Sequence, residues 1–201
     1  MLPDGDYSYE IRRDGRLVAL EDNRLKAGRI SGVRRIAEGS DRYEAEALLD
    51  HDGAVSWLGL RYIRGPFTRG AAFEVAGDFL RGSVSALGSR DNIVVKLGRY
   101  REVDADLALF KAVIIGHARV RGQTLFTSRI ATIDPNTLMV ASYKQTWRQA
   151  GDNGLLWINE PRMGDSETIE IDENGWLIRR TDARGNQTAI IGVKGEKIEQ
   201  R

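Results

Sequence analysis

Apolar and polar residues alternate along most of this chain. The alternation is clear in residues 43–49, 55–63 and 124–133. Because successive side chains of a strand point to opposite faces of a sheet, the pattern predicts half-buried β-strands. Similar segments occur at 72–80, 83–87, 93–97, 138–147, 167–172, 176–181 and 188–193. The pattern therefore predicts a mainly β protein with about 10 strands.

Short turn signals separate several of these segments. Asp14-Gly15, Asp52-Gly53 and Asn174-Gly175 lie between predicted strands. These dipeptides favour the positive φ angles of type I′ hairpin turns, so neighbouring strands are expected to be antiparallel. A sheet of so many strands curls or closes, and we expect a strongly curved half-barrel or barrel.

One central segment departs from the alternation. Phe110 and Ile114 recur at helical spacing, and most residues around them are apolar. The segment predicts a helix over about 104–116, capped by Asp104 or Asp106. A helix that is apolar on most sides is buried, so the curved sheet is expected to wrap it.

Composition narrows the class of protein. The 201 residues are 41% hydrophobic and 29% charged, which is typical of one globular domain over 1–201, with a flexible tail at about 194–201. There are no cysteines and two histidines, and no glycine-rich phosphate loop is present, so we predict neither a metal nor a cofactor. A net charge of +1 argues against nucleic acid as a partner.

The sequence leaves the compartment open. No apolar run approaches the roughly 20 residues of an integral membrane segment. The first six residues lack the hydrophobic region of a signal peptide, so the chain as written is expected in the cytoplasm. An export signal upstream would instead make the protein periplasmic. A homodimer is compatible with every function considered below.

Arginines interleaved with aromatic residues suggest a binding surface. The chain has 24 arginines against 6 lysines, and guanidinium groups fit carboxylate, phosphate and sulfate. If such a face pointed into the concave side of the sheet, it would hold an anionic head group while aromatic residues met an apolar tail. The predicted ligand-binding residues are Trp57, Arg61, Phe73, Phe79, Arg99, Arg101, Phe110, Arg129 and Lys144. The alternative is a solvated outer face, on which arginine stems cover apolar surface.

The two histidines offer a different chemistry. His51 lies in a turn, where exposure is expected, whereas His117 follows the apolar segment. Histidine is the usual general acid or base near neutral pH, and a carboxylate such as Glu102, Asp104 or Asp106 would be needed to orient it. The alternative for His117 is a structural role at a helix end.

The order of these elements resembles a group of bacterial proteins. One hairpin-rich half, a central apolar helix and a second run of strands containing Asp172-Glu-Asn-Gly-Trp176 are similar to lipoprotein-carrier half-barrels of the LolA/LppX type. The group includes uncharacterised families described as glycolipid-binding. The resemblance covers residues 5–193 in order and spacing. It implies a curved antiparallel sheet around a helix, with an apolar groove for a lipid-like ligand.

Three functions follow as hypotheses. The first is a binding or carrier protein for a small amphipathic, lipid-like ligand, either neutral or anionic. The second is a cofactor-independent lyase, isomerase or hydrolase that uses His117. The third is an interaction protein that binds another protein through a sheet edge or the region of Trp147 and Trp157.

Overall fold

The computed structural model describes residues 2–151, 153–162 and 165–193. These residues form one fifteen-stranded sheet and one helix, α1 (Ala108–Val120). The strands are β1 (Gly5–Arg13), β2 (Arg16–Lys26), β3 (Arg29–Ile36), β4 (Arg42–Leu49), β5 (Val55–Arg64), β6 (Phe67–Ala76), β7 (Phe79–Ala86), β8 (Ser89–Lys96), β9 (Val103–Asp104), β10 (Leu125–Ile133), β11 (Val140–Ala150), β12 (Leu156–Pro161), β13 (Glu167–Ile171), β14 (Leu177–Asp182) and β15 (Asn186–Val193). The predicted mainly β fold with one central helix is confirmed. The predicted tail at 194–201 lies outside the described residues.

The number of strands was predicted wrongly, as about 10 instead of fifteen. Strand β3 was missed because Gly32 and Arg34 occupy inward positions where the pattern requires apolar residues. The predicted strand 72–80 contains a turn at Gly77, whose φ of 58° ends β6. The first error comes from non-apolar residues that face the core. The second comes from a turn that lacks an Asn-Gly or Asp-Gly signal.

The three predicted hairpins are present, but only one has the predicted turn. Asp14 and Gly15 both have positive φ angles, 50° and 78°, as a type I′ turn requires. In the turn after β4 only Gly53 is positive, and the Asp50 amide donates to the Ala54 carbonyl at 2.8 Å. The turn before β14 has the same form, so both are longer loops closed by a glycine.

The strands follow the order β8-β7-β6-β5-β4-β3-β2-β1-β15-β14-β13-β12-β11-β10-β9 in the sheet. All neighbours are antiparallel except β9 and β10. The two ends of the sheet approach each other without a shared ladder, so the curved sheet is not closed. Where they meet, the Gly98 amide donates to the Arg129 carbonyl at 2.7 Å. Only glycine fits there, since a Cβ would lie 2.4 Å from Ser128 Oγ.

Helix α1 begins and ends later than predicted. Residues 103–104 form β9 instead, and Asp106 has a left-handed φ of 58° that a helix cannot continue through. The predicted caps are also wrong, because Leu107 is the N-cap and has no side-chain cap bond. Instead, the Ala108 amide donates to Glu21 Oε1 of β2 at 2.7 Å. A carboxylate from the sheet therefore takes the place of the missing cap.

The helix packs against the inner face of the sheet. Its buried residues are Ala108, Leu109, Phe110, Lys111, Ala112, Val113, Ile114, Ile115 and Ala118. Inward-facing residues such as Tyr9, Leu58 and Phe73 join them in one core. No helix in the described parts of the chain has the length and apolar character to cross a membrane.

The sheet has two ends, which we name by their turns. The upper end carries the tips at 14–15, 65–66 and 87–88 and the loop 134–139, and α1 begins near it. The lower end carries the turns at 27–28, 50–54, 77–78 and 172–175, and α1 ends near it.

Candidate functional site

Two groups of charged residues stand out, one inside the sheet and one outside. The inner charge cluster lies where α1 begins and comprises Glu21, Arg34, Asp104, Asp106, Lys111, Glu167 and Arg180. The outer groove lies on the face of β4–β8 that points away from the helix, and is described after it.

Arg34 of β3 connects the sheet to Asp106, which lies just before the start of α1. Its Nη2 lies 2.8 Å from Glu21 Oε2 and its Nη1 lies 2.9 Å from Asp106 Oδ2. Glu21 Oε1 accepts from the Asn23 side chain at 2.7 Å as well as from Ala108. One buried carboxylate therefore holds two strands and the first turn of α1 together.

Lys111 occupies the centre of the second half of the cluster. Its Nζ lies 2.7 Å from Glu167 Oε1 and also contacts Asp104 Oδ2. Arg180 Nε donates to Glu167 Oε2 at 2.6 Å, and Asn159 Nδ2 donates to Glu167 Oε1 at 2.8 Å. Arg180 also reaches the first half of the cluster, at 3.2 Å from the Asp106 carboxylate.

The cluster holds its groups in their charged forms. Burial alone would raise the pKa of Glu167, but Lys111 and Arg180 outweigh burial and hold that pKa well below its ordinary value. Burial would likewise raise the pKa of Asp106, and Arg34 and Arg180 lower it. For Lys111, burial opposes the charge, but the neighbouring carboxylates raise its pKa. These three groups are therefore not poised to exchange protons near neutral pH.

All the acceptors of the cluster are used internally. Each of the eight oxygens of its four carboxylates accepts a hydrogen bond from the cluster, from Asn23, from Asn159 or from a backbone amide. Cavities of about 500 and 180 Å³ border it. Because its charges satisfy one another, the cluster is built to fix the helix in the sheet.

The outer groove has a volume of about 490 Å³. It is lined by Glu44, Ala45, Glu46, Trp57, Gly59, Leu60, Arg61, Gly70, Ala71, Ala72, Ser83, Ser85 and Arg90. This volume is within the range of small-molecule sites.

Register explains why the sheet is hollow here. Gly59 pairs with Ala72, which pairs with Ser83, so three small residues lie side by side across β5, β6 and β7. In the next row Gly70 pairs with Ser85. Paired residues of antiparallel strands share a face, so these residues form one continuous floor.

Larger side chains surround the floor of the groove. Trp57 is 37% exposed and its ring lies over Gly59, where a Cβ would be 2.6 Å from Trp57 Cη2. Arg61 Nε lies 3.4 Å from Glu44 Oε2. Arg90 Nε donates to Ser83 Oγ at 2.9 Å, and no described residue bonds to its two Nη groups. The groove thus combines an indole, a low floor and guanidinium donors.

The structure brings together only two of the predicted ligand-binding residues, Trp57 and Arg61. Phe73 and Phe110 lie in the core on the other side of the sheet, where they are completely covered. Phe79 is half-buried on β7 and does not line the groove.

The remaining predicted residues lie elsewhere. Arg129 and Lys144 pair across β10 and β11 and are exposed on the outer face. The Arg99 guanidinium lies 6.0 Å from the centre of the Tyr100 ring. Arg101 lies 3.5 Å from Asp50 at the lower end. These four residues do not converge on a common cavity among the described residues.

His117 lies beside one of the three carboxylates proposed to assist it. Its Nδ1 lies 3.2 Å from Glu102 Oε1, which Arg121 also contacts at 3.0 Å. Asp104 and Asp106 lie near the other end of α1, and the nine residue steps from Ala108 to His117 alone span about 14 Å. The cavity beside His117 measures about 10 Å³, too small for a substrate. The structure therefore brings Glu102 to His117 but neither Asp104 nor Asp106.

Two further predictions concern surfaces and metals. Trp147 and Trp157 are completely buried, so they present no surface to another protein. Asp50, His51 and Asp52 are the one described group whose ligand atoms all lie within 4.8 Å of one another. Asp50 Oδ1 already accepts the amides of Asp52 and Ala54 at 3.0 Å, which is ordinary turn bonding.

Comparison with known proteins supports the fold and nothing finer. No family model matches the chain, and no curated protein matches it. Among solved structures, a DUF1089 family protein from Pseudomonas aeruginosa, determined by crystallography at 1.80 Å, is similar with a TM-score of 0.58. The two share 16% identity over 80% of this chain and 87% of that chain. At this identity the similarity shows a shared fold alone.

Proposed function

We propose that the protein binds a small amphipathic ligand with an anionic head group in the outer groove, as a binding or carrier protein. One observation carries the proposal: a hollow floor of small residues lies between an exposed indole and two arginines. The resemblance to lipid carriers also implies an apolar groove for a lipid-like ligand.

The apolar part of the ligand would lie on the floor against Trp57. Ala72 is exposed on the floor, and the Trp57 ring lies over the neighbouring Gly59, so an apolar chain on Ala72 would lie beside the indole. Burial of apolar surface contributes roughly 25 cal/mol per Å², so a ligand that covers about 150 Å² gains about 4 kcal/mol. This gain gives weak binding without a head-group contact, so the arginines are expected to decide affinity.

The anionic head group would lie between Arg61 and Arg90. The register places Arg61, Gly70, Ser85 and Arg90 in one row across β5–β8. Three strand spacings of about 4.8 Å separate the two arginine backbones, which lets both side chains reach an anion over the small residues between them. Glu44 competes for Arg61 from the neighbouring strand.

Native and denaturing mass spectrometry of gently purified protein is the first test. A small amphipathic molecule released by denaturant would identify the ligand class. The occupied site can then be located by tryptophan quenching, because Trp147, Trp157 and Trp176 are buried and Trp57 alone is accessible to acrylamide.

Decanoate and decanol are suitable probes, because they share a chain and differ in head group. We expect decanoate to protect Trp57 from acrylamide at lower concentrations than decanol. Arg90→Gln should reduce the affinity for decanoate several-fold and leave decanol unchanged. Arg129→Gln, on a different part of the outer face, is the matched control. Equal protection by both probes, or none, would refute the proposal.

A further inference from the structure

Large apolar side chains are exposed at neighbouring tips of the upper end. Phe67 is 59% exposed, Leu87 83% and Met139 59%. The tips at 65–66 and 87–88 are adjacent, because Arg69 pairs with Ala86 across β6 and β7. Arg69 also donates to the Asn136 carbonyl at 3.3 Å, which brings the loop of Met139 alongside. We call Phe67, Leu87 and Met139 the apolar tips.

Leu87 is unfavourable at its position for two reasons. It has a left-handed φ of 49° in the turn between β7 and β8, where glycine, asparagine or aspartate is preferred. It is also the most exposed large hydrophobic residue among those described. A residue that suits neither the backbone nor the solvent points to a contact outside the folded chain.

Arginines surround the apolar tips. Arg64, Arg69 and Arg90 lie on the same two hairpins. Arg64 is only loosely paired, at 3.7 Å from Asp41. In the adjacent loop, Asp134 Oδ1 accepts the amides of Asn136 and Thr137.

The lower end has exposed apolar residues too, but a different charge. Val120 is 64% exposed there. The turns on that end carry Asp50, Asp52, Asp172 and Glu173. Arg119 and Arg121 flank Val120, but Arg121 is paired with Glu102 at 3.0 Å and Arg119 donates to the Glu173 carbonyl at 3.1 Å. The hairpin tips at 64–69 and 86–90, in contrast, carry arginines and no acidic residue.

We propose that the upper end docks on an anionic lipid bilayer. The apolar tips would insert among the acyl chains near the head groups, while Arg64 and Arg69 contact lipid phosphates. The hairpin tips are positively charged, and their exposed apolar side chains stand on separate turns instead of forming one flat patch. These two features fit an anionic lipid surface better than a flat protein surface. This inference goes beyond ligand binding in the outer groove and does not depend on it.

Vesicle flotation tests the proposal directly. The full chain is mixed with vesicles of phosphatidylcholine, alone or with roughly 30% phosphatidylglycerol, in low and high salt. The anionic lipid gives the vesicle the negative surface potential that attracts basic residues. We expect flotation with the anionic vesicles at low salt and its loss at high salt. No flotation with anionic vesicles at low salt would overturn the proposal.

Three variants separate docking from folding. Leu87→Asn suits the left-handed turn, so it should fold at least as well as the parent and lower vesicle partitioning several-fold. Arg64→Gln should lower partitioning about fivefold. Val120→Ser, an equally exposed residue of the lower end, should leave partitioning unchanged. A similar loss in Val120→Ser, or a concentration-dependent dimer that Leu87→Asn abolishes without any vesicle binding, would overturn the assignment to lipid.

Discussion

The inner charge cluster and the outer groove use the same residue types in opposite ways. Inside the sheet, Lys111, Arg34 and Arg180 share four carboxylates whose oxygens are all bonded. Outside, Arg61 has one distant acidic partner and Arg90 bonds only a serine hydroxyl. The same chemistry therefore builds a closed network in one place and an open site in the other.

Solvent explains the difference. A buried charge loses its hydration, so an unpaired one is very costly and selection leaves none in the core. A charge on the outer face keeps its water and needs no partner for stability. Charged clusters that satisfy themselves hold a fold together, whereas arginines with unused donors beside a hollow are the better guide to a ligand.

Loss of Lys111 should have the largest effect on stability. Lys111→Met keeps the volume of the side chain but leaves Asp104 as an uncompensated buried charge and Glu167 with Arg180 as its one remaining cation. We expect the free energy of unfolding, measured in urea, to fall by about 3–5 kcal/mol. Lys144→Met on the exposed face of β11 is the matched control and should change it by less than about 0.5 kcal/mol. Equal effects would show that the cluster is not the structural centre proposed here.

Acid should weaken the fold through the same cluster. The folded pKa values of Glu167 and Asp106 lie below their ordinary values, so the unfolded chain binds protons first as the pH falls. The stabilisation is fully present well above the unfolded pKa values near 4 and is lost progressively as the pH falls from about 5, by up to about 1.4 kcal/mol per pH unit for each group. Urea titrations between pH 7 and pH 3 measure this slope.

Glu167→Gln is the control for the acid effect. The variant is less stable at neutral pH, because Lys111 and Arg180 lose their shared acceptor charge. Its stability should also depend less steeply on pH below about pH 5, since one titrating group is gone. An unchanged slope would mean that other carboxylates cause the loss in acid.

The general fold was accessible from the sequence, but its polar interior was not. Period-two segments and turn glycines predicted the hairpins because each depends on neighbouring residues alone. Strand β3 was missed because Arg34 interrupts its apolar face, and its partners Glu21 and Asp106 are 13 and 72 residues away. No local pattern shows that such a charge is paired.

Two of the side chains that surround the outer groove were among the predicted binding residues, whereas the small residues of its floor were not. The two are Trp57 and Arg61, which the structure places on one face of β5. No sequence pattern singles out Gly59, Ala72 and Ser83. They form the floor of the groove only because the strand register places them side by side. Phe73 and Phe110 belong to the core because the strand register and the orientation of α1 place their side chains on the inner side of the sheet.

A smaller and more local effect is expected at Gly59. In Gly59→Ala the new Cβ would meet the far edge of the Trp57 ring, which must turn away from the floor. Strand propensity favours alanine, so the free energy of unfolding should stay within about 1 kcal/mol of the parent. Acrylamide quenching of Trp57 should rise and decanoate affinity should fall several-fold. Gly192→Ala, where the Cβ meets open space, should change neither quantity.

The same substitution in the two regions should have opposite consequences. Glu44→Gln removes an exposed partner of Arg61, so stability should change by less than about 0.5 kcal/mol, whereas Glu167→Gln weakens the fold. Glu44→Gln also removes a negative charge that competes with an anionic ligand for Arg61. Decanoate affinity, read from Trp57 quenching, should therefore rise about two- to fivefold, as expected for an exposed charge pair worth up to about 1 kcal/mol. A fall in affinity would place the head group away from Arg61 and favour Arg90 alone.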